Sequence, residues 1–350
     1  MTGADRAAGL AVVGAGSWGT AIAIHAARHG LGVRLWARDA ELAERVAATG
    51  ENRRYLPGIQ IPPGVTVTPR LDEALGGATL VVTAVPSPFL DAVARAAEPN
   101  VGRTATIVSA TKGLEAERGR RMSEILAEAL PGRPLAVLSG PSFAREVALG
   151  RPAALVVASR DAQVARLVQE TLAAPTFRLY TNHDVVGVEI GGALKNVVAV
   201  ATGLCDSLDL GENARAALIT RGLAEIERLG VALGAAPRTF AGLAGLGDLV
   251  LTCTGSLSRN HALGLAIGRG RTLAEAECAT PMIAEGVRTV LSALRVAGIM
   301  RVTMPICEAV AAVLFAGQPI REALTRLLSR EPRPEEEPTD AAGRTQGVAP

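Results

Sequence analysis

The stretch Gly14-Ala15-Gly16-Ser17-Trp18-Gly19 constrains this chain more tightly than any other. It follows a short apolar run at 9–13 (GLAVV) and precedes an Ala- and Ile-rich stretch, Thr20 to Arg28, with helical composition. Behind a Gly30-Leu31-Gly32 turn, Val33-Arg34-Leu35-Trp36 then alternates as a second strand. Strand, glycine loop, helix and strand within about 30 residues form a βαβ unit. GxGxxG in that setting predicts a dinucleotide cradle. Gly14 permits the tight turn, Gly16 lets backbone approach a pyrophosphate, and Gly19 lets the helix close onto the strand. The first N–H groups of the helix and the positive end of its dipole then face the phosphates.

Further strands are expected at 79–85, 104–109, 135–139, 153–158 and 176–180, with helical segments at 89–97 and 119–130. Strands alternating with helices predict an α/β fold, a mostly parallel, doubly wound Rossmann sheet covered on both faces. Past residue 185 the pattern changes to Ala- and Leu-rich helical stretches at 190–205, 212–233, 259–267, 281–297 and 305–315, with no convincing strand. The expected organisation is a nucleotide-binding domain over 8–187 and an all-α domain over 188–330. The last stretch, 331–350, carries four prolines and a net charge of −3. It buries too little to offset its ordering entropy and reads as a disordered acidic tail.

Composition removes several function classes. Lys and Arg (36) nearly balance Asp and Glu (34), and with five Phe, two Tyr and two Trp there are few stacking platforms. No nucleic-acid partner is expected. Cys205, Cys253, Cys278 and Cys307 form no CxxC and read as buried thiols of a reducing compartment. His25 and His29 stand at i, i+4 without a cysteine or carboxylate to complete a site; they read as solvated helix-face residues, and no metal is inferred. No formally charged residue lies between Arg6 and Arg28, which is long enough for a span. The glycines interrupt it, and Asp5 opposes a signal sequence. The expectation is a soluble cytoplasmic chain without membrane insertion.

Cofactor choice turns on the end of the second strand, Trp36-Ala37-Arg38-Asp39. An acid there bonds a ribose 2′-hydroxyl, and Asp39 lies 20 residues after Gly19. Arg38 is adjacent, points the other way by strand alternation, and can fork onto a 2′-phosphate. NADP(H) is therefore expected to bind at least as well as NAD(H), through Arg38.

Lys195 sits in the middle of a stretch (188–200) that is apolar all round. A helix of that kind is buried, and a buried lysine falls below its usual pKa of about 10.4. That suits a general acid that protonates a carbonyl oxygen as hydride arrives at carbon; a lysine snorkelling to the surface is the alternative the pattern leaves open. Asp248, after Gly245-Leu246-Gly247, can orient a lysine or a substrate hydroxyl. Ser258-Arg259-Asn260 opens a helix; Ser258 is a good N-cap, while an arginine in the first turn suits a nearby anion. A pocket for a small phosphate and an ordinary capped helix both fit. Lys112, in Ser109-Ala110-Thr111-Lys112-Gly113, and Ser139-Gly140-Pro141-Ser142-Phe143-Ala144 follow strands, at the carboxyl ends of parallel strands where open α/β sheets bind ligands.

GAGSWGTA (14–21), ATKGLE (110–115), SGPSFA (139–144), GGALKNV (191–197), NARAALITRGLAE (213–225), GLGDLVLTC (245–253) and SRN (258–260) together resemble the bacterial NAD(P)-dependent glycerol-3-phosphate dehydrogenases. The similarity runs in order from about residue 10 to 328. It implies reversible reduction of dihydroxyacetone phosphate to sn-glycerol 3-phosphate for glycerophospholipid synthesis, at a cleft between a Rossmann and an all-α domain, and is compatible with a homodimer. By motif position it implies Lys195 as proton donor and acceptor. Ser17, Trp18, Arg38, Lys112, Ala144, Arg259, Ile283 and Glu285 would contact cofactor. Lys112, Gly140, Ser142, Lys195, Asp248, Ser258, Arg259 and Asn260 would hold substrate. Around Ile283 the match is loose, Met282-Ile283-Ala284 replacing branched residues before the glutamate. Other Rossmann-plus-helical dehydrogenases, for 6-phosphogluconate or 3-hydroxyacids, are set apart by the SRN triplet. A redox-sensing module without turnover would have no use for Lys195 and Asp248.

Overall fold

The computed structural model describes residues 9–278 and 284–331. The chain divides into two compact units, one of residues up to Lys112 with Arg120–Val185, the other of Gly113–Gly119 with Val186 onward.

The first unit holds eight strands: β1 (Gly9–Val13), β2 (Val33–Trp36), β3 (Val65–Thr68), β4 (Ala78–Thr83), β5 (Thr106–Ser109), β6 (Leu135–Ser139), β7 (Ala153–Ala158) and β8 (Phe177–Asn182). Their order is β3-β2-β1-β4-β5-β6-β7-β8, and every neighbouring pair is parallel except β6–β7. Chain progression reverses between β1 and β4, which opens a crevice at their carboxyl ends. Helices α1 (Ser17–Arg28), α2 (Ala40–Thr49), α3 (Leu71–Leu75), α4 (Leu90–Ala97), α5 (Met122–Ala129), α6 (Ala144–Ala148) and α7 (Ala162–Leu172) complete the unit. Both sheet faces are covered: Leu10 and Val12 of β1 join one apolar cluster, Ala11 and Val13 the other. That alternation is the period-2 geometry of a strand, and burial on both faces explains why β1 carries no polar residue.

One expectation changes here, and one strand, β3, has no counterpart among the expected ones. His25 is buried, its Nε2 bonded to Leu172 O at 2.8 Å and its ring 4.2 Å from Phe177; α7 and β8 cover the face that a lone helix would leave to solvent. The strand β3 lies at the sheet edge, partly exposed, and its short VTVT run carries no apolar block to announce it.

The second unit is helical: α8 (Val185–Ser207), α9 (Gly211–Ala232), α10 (Pro237–Phe240), α11 (Asp248–Thr254), α12 (Arg259–Gly268), α13 (Leu273–Cys278), α14 (Glu285–Met300), α15 (Pro305–Phe315) and α16 (Ile320–Leu328). No strand occurs among its described residues. By length and composition α8 could cross a membrane, but 94% of its most apolar stretch is buried inside the fold. It is the core helix, contributing Ile190, Leu194, Val197 and Val200 to one cluster with Phe240, Leu249 and Val290. Its backbone touches that of α12: a Cβ on Gly203 would fall 2.1 Å from His261 O, and one on Gly264 2.2 Å from Val200 O. Those glycines fix where the start of α12 stands along α8. Leu114 packs into this core, and Arg295 donates to the carbonyls of Ala116 and Glu117, which is how 113–119 belongs to the helical unit. Cys205, Cys253 and Cys307 are buried as expected, whereas Cys278 is exposed at the end of α13. Ile283 and the residues past Glu331 lie outside the described residues.

Candidate active site

In the first unit, Gly14 has φ +115°, and a Cβ there would meet Ala84 O at 2.8 Å. Ala84 follows β4, so the glycine loop lies at the β1–β4 reversal. A Cβ on Gly19 would fall 1.9 Å from Gly14 O. Gly16 differs: it caps α1 without a side-chain oxygen, and a Cβ there would meet nothing within 4 Å. The open side of the cradle is therefore the side at which the helix N-terminus points. Trp18 Nε1, Ser109 Oγ and Ser139 Oγ are buried and have no hydrogen-bond partner among the described residues. Ser109 and Ser139 end β5 and β6. Buried donors left unpaired are costly, and donors at the cradle and at strand carboxyl ends fit a polar dinucleotide.

Around this cradle, Ser17 Oγ donates to Tyr55 O at 2.7 Å. The Arg38 guanidinium lies over the Phe89 ring, 5.3 Å from its centroid. Asp39 caps α2, accepting from Leu42 N at 3.1 Å. Lys112 Nζ and Ser142 Oγ both donate to Gly140 O, at 3.2 and 3.0 Å. Ala144 begins α6.

In the second unit, Lys195 is 7% exposed, and its Nζ donates to Asp248 Oδ1 and, at 2.9 Å, to Thr252 Oγ1. Asp248 is fully buried, and Thr252 Oγ1 donates to Asp248 O at 2.6 Å. The snorkelling alternative is closed. Burial and pairing act on the amine in opposite senses: desolvation disfavours the ammonium and the carboxylate favours it. Ser258 caps α12, its Oγ accepting from His261 N at 3.3 Å. Arg259 is the first residue of α12 and interacts electrostatically with Glu285, the first residue of α14. Asn260 is buried, donates to Asn196 Oδ1 at 2.9 Å and accepts from Gly286 N at 3.0 Å. Its amide thus ties the residue after Lys195 to the start of α14.

The expected site residues fall into two sets. Gly14, Gly16, Ser17, Trp18, Gly19, Arg38, Lys112, Gly140, Ser142 and Ala144 lie in the first unit; Lys195, Asp248, Ser258, Arg259, Asn260 and Glu285 lie in the second. Thr252 and Asn196 escaped the sequence reading, although Thr252 stands four residues after Asp248 on one helix face and Asn196 follows Lys195.

Models of the N- and C-terminal parts of NAD-dependent glycerol-3-phosphate dehydrogenase match residues 9–165 and 184–325. A glycerol-3-phosphate dehydrogenase (NAD(P)+) of Geobacter sulfurreducens is 51% identical over 325 residues, covering 92% of this chain and 97% of that protein. One from Moorella thermoacetica is 48% identical, covering 92% of this chain and 96% of its own. The crystal structure of glycerol-3-phosphate dehydrogenase from Coxiella burnetii is 40% identical, with a TM-score of 0.90 over 93% of this chain and all of that one.

Proposed function

Because the chain belongs to the NAD-dependent glycerol-3-phosphate dehydrogenase family, we propose that it catalyses the reversible reduction of dihydroxyacetone phosphate to sn-glycerol 3-phosphate with NAD(P)H, supplying glycerophospholipid synthesis. The observation that carries this reading is the buried Lys195–Asp248–Thr252 cluster, an ammonium oriented by two acceptors inside an apolar helical core.

Gly14, Gly16 and Gly19 hold the pyrophosphate against backbone, with Ser17, Trp18, Arg38, Lys112, Ala144, Arg259 and Glu285 as further cofactor contacts. The bound nicotinamide supplies the hydride. Lys195 protonates the carbonyl oxygen in reduction and, by reversibility, accepts the hydroxyl proton in oxidation. Asp248 stabilises the ammonium before transfer, and Thr252 fixes the direction of its N–H bonds. Lys112, Gly140, Ser142, Ser258, Arg259 and Asn260 hold the substrate. Anchoring the phosphate away from the reacting carbon orients that carbon and keeps phosphate-free analogues out. The same reading makes a cytoplasmic homodimer the form to look for, which sedimentation and cell fractionation would check.

The test is absorbance at 340 nm with dihydroxyacetone phosphate and each reduced nicotinamide in turn. Oxidation of cofactor with the phosphorylated ketone and little with free dihydroxyacetone is expected. Equal rates with the two ketones would remove the phosphate pocket, and no oxidation with either would remove the activity.

A further inference from the structure

The acid that would mark this chain as NAD-selective is already engaged. Asp39 Oδ1 accepts from Leu42 N at 3.1 Å as the cap of α2, and its Oδ2 pairs with Arg54 Nη1 at 3.2 Å. The pair is open to solvent, with side chains 47% and 41% exposed. Exposed ion pairs add little to fold stability, so stability alone gives Arg54 no reason to be there.

Its position, by contrast, is tightly held. Asn52 is 1% exposed and donates from Nδ2 to Ala15 O and Thr20 Oγ1, both at 2.9 Å. Asn52 Oδ1 accepts from Tyr55 N at 3.3 Å, and Tyr55 O accepts from Ser17 Oγ at 2.7 Å. Residues 52–55 are thereby bolted to the glycine loop and the first turn of α1. The Arg54 guanidinium also lies over the Tyr55 ring, 5.2 Å from its centroid. Asp39 is thus flanked by two cations that each rest on an aromatic ring: Arg38, its chain neighbour over Phe89, and Arg54, its ion-pair partner.

We infer that Arg54 is a cofactor-selecting residue: it neutralises Asp39 and, with Arg38, presents a second guanidinium to the 2′-phosphate of NADP(H). This rests on the dinucleotide reading above and adds to it a residue outside the glycine motif. A 2′-phosphate would otherwise meet an uncompensated carboxylate at the ribose position, where a 2′-hydroxyl would find a good acceptor. Removing Arg54 should therefore hurt NADP(H) and spare NAD(H).

Calorimetric titration of the full chain tests this without turnover, using NADPH, NADH, 2′,5′-ADP and 5′-AMP. Arg54→Ala is expected to weaken NADPH and 2′,5′-ADP by about ten-fold or more, the scale of a lost charge-assisted hydrogen bond, with NADH and 5′-AMP unchanged or tighter. Adding Asp39→Asn should restore part of the NADPH affinity, because the freed carboxylate is then gone. Equal losses for phosphorylated and unphosphorylated ligands would make Arg54 a mere brace of the loop and overturn the inference. No change with any ligand would overturn it as well. If the unaltered chain bound neither dinucleotide, the cradle reading itself would fall, a result distinct from a wild type that binds both and a variant whose selectivity is unmoved.

Discussion

In the first unit the candidate site is built by keeping side chains away. Gly14 and Gly19 leave no room for a Cβ, Gly16 faces open space, and Trp18, Ser109 and Ser139 hold buried donors with no hydrogen-bond partner among the described residues. In the second unit the candidate site is built by crowding polar side chains together: Lys195, Asp248 and Thr252 are buried and bonded to one another, and Asn196, Asn260 and Gly286 form a second bonded chain beside them. The contrast follows from what each part handles. A pyrophosphate arrives with its own charge and needs backbone N–H groups close at hand, whereas a proton donor must carry its charge through a low-dielectric core before any substrate comes.

The largest effect tests that contrast directly. Lys195→Ala should lower kcat by about 10²–10⁴-fold, the span of general acid–base contributions, while NADPH affinity measured by titration stays where it was. A variant with near wild-type turnover would leave the crowded cluster without a chemical role.

The next effect also belongs to the second unit. Burial pushes the Glu225 carboxyl up to about 7, although it accepts hydrogen bonds from Ile306 N and Cys307 N. Since the folded value lies above the ordinary 4.5, the folded chain holds an extra proton between the two. This group's contribution is fully present below the lower value and lost as pH rises through the upper one. Unfolding free energy should fall by up to about 1.4 kcal/mol per pH unit between pH 5 and 7 from this residue. Urea midpoints across that range, compared with Glu225→Gln, check it: the variant should show a flatter profile, and an equally steep one would assign the slope elsewhere. His25 in the first unit works in the opposite sense. Burial lowers its pKa, so its contribution weakens as pH drops below the usual value of 6.5.

The same contrast explains what could be read in advance. The glycine cradle was legible because its chemistry lies within six consecutive residues, and the alternation of strand and helix gave the doubly wound sheet. Lys195 was conspicuous as the only cation in an apolar run, but nothing local said whether it was buried or what it touched. Its partners stand 53 and 57 residues away, and only the packing of α8 against α11 brings them together. The burial of His25 and the bracing of the glycine loop by Asn52 were hidden for the same reason: each depends on a contact made across tens of residues, through side chains with no periodic signal.

In the first unit, Gly19→Ala should separate cradle from cluster. The added Cβ would face backbone oxygen at 1.9 Å, which no rotamer can relieve, and overpacking of this kind costs about 1–3 kcal/mol. NADPH affinity should fall by about 10–100-fold, while the tryptophan-free second unit keeps its helical content. Retained affinity would mean that the loop is not what grips the dinucleotide.

The smallest expected effect decides between the two readings of the α12 start. Arg259 is an exposed cation in the first turn of a helix, where the dipole disfavours it. Its electrostatic interaction with Glu285 compensates in part. If the helix is merely capped, Arg259→Ala should leave kinetics alone and stabilise the chain slightly. If the residue holds the substrate phosphate, KM for dihydroxyacetone phosphate should rise about ten-fold, the low end for a charged hydrogen bond, with a much smaller change in kcat. KM separates the outcomes: the dipole acts on the ligand-free chain in either case and moves melting temperature the same way, whereas only a phosphate anchor moves KM.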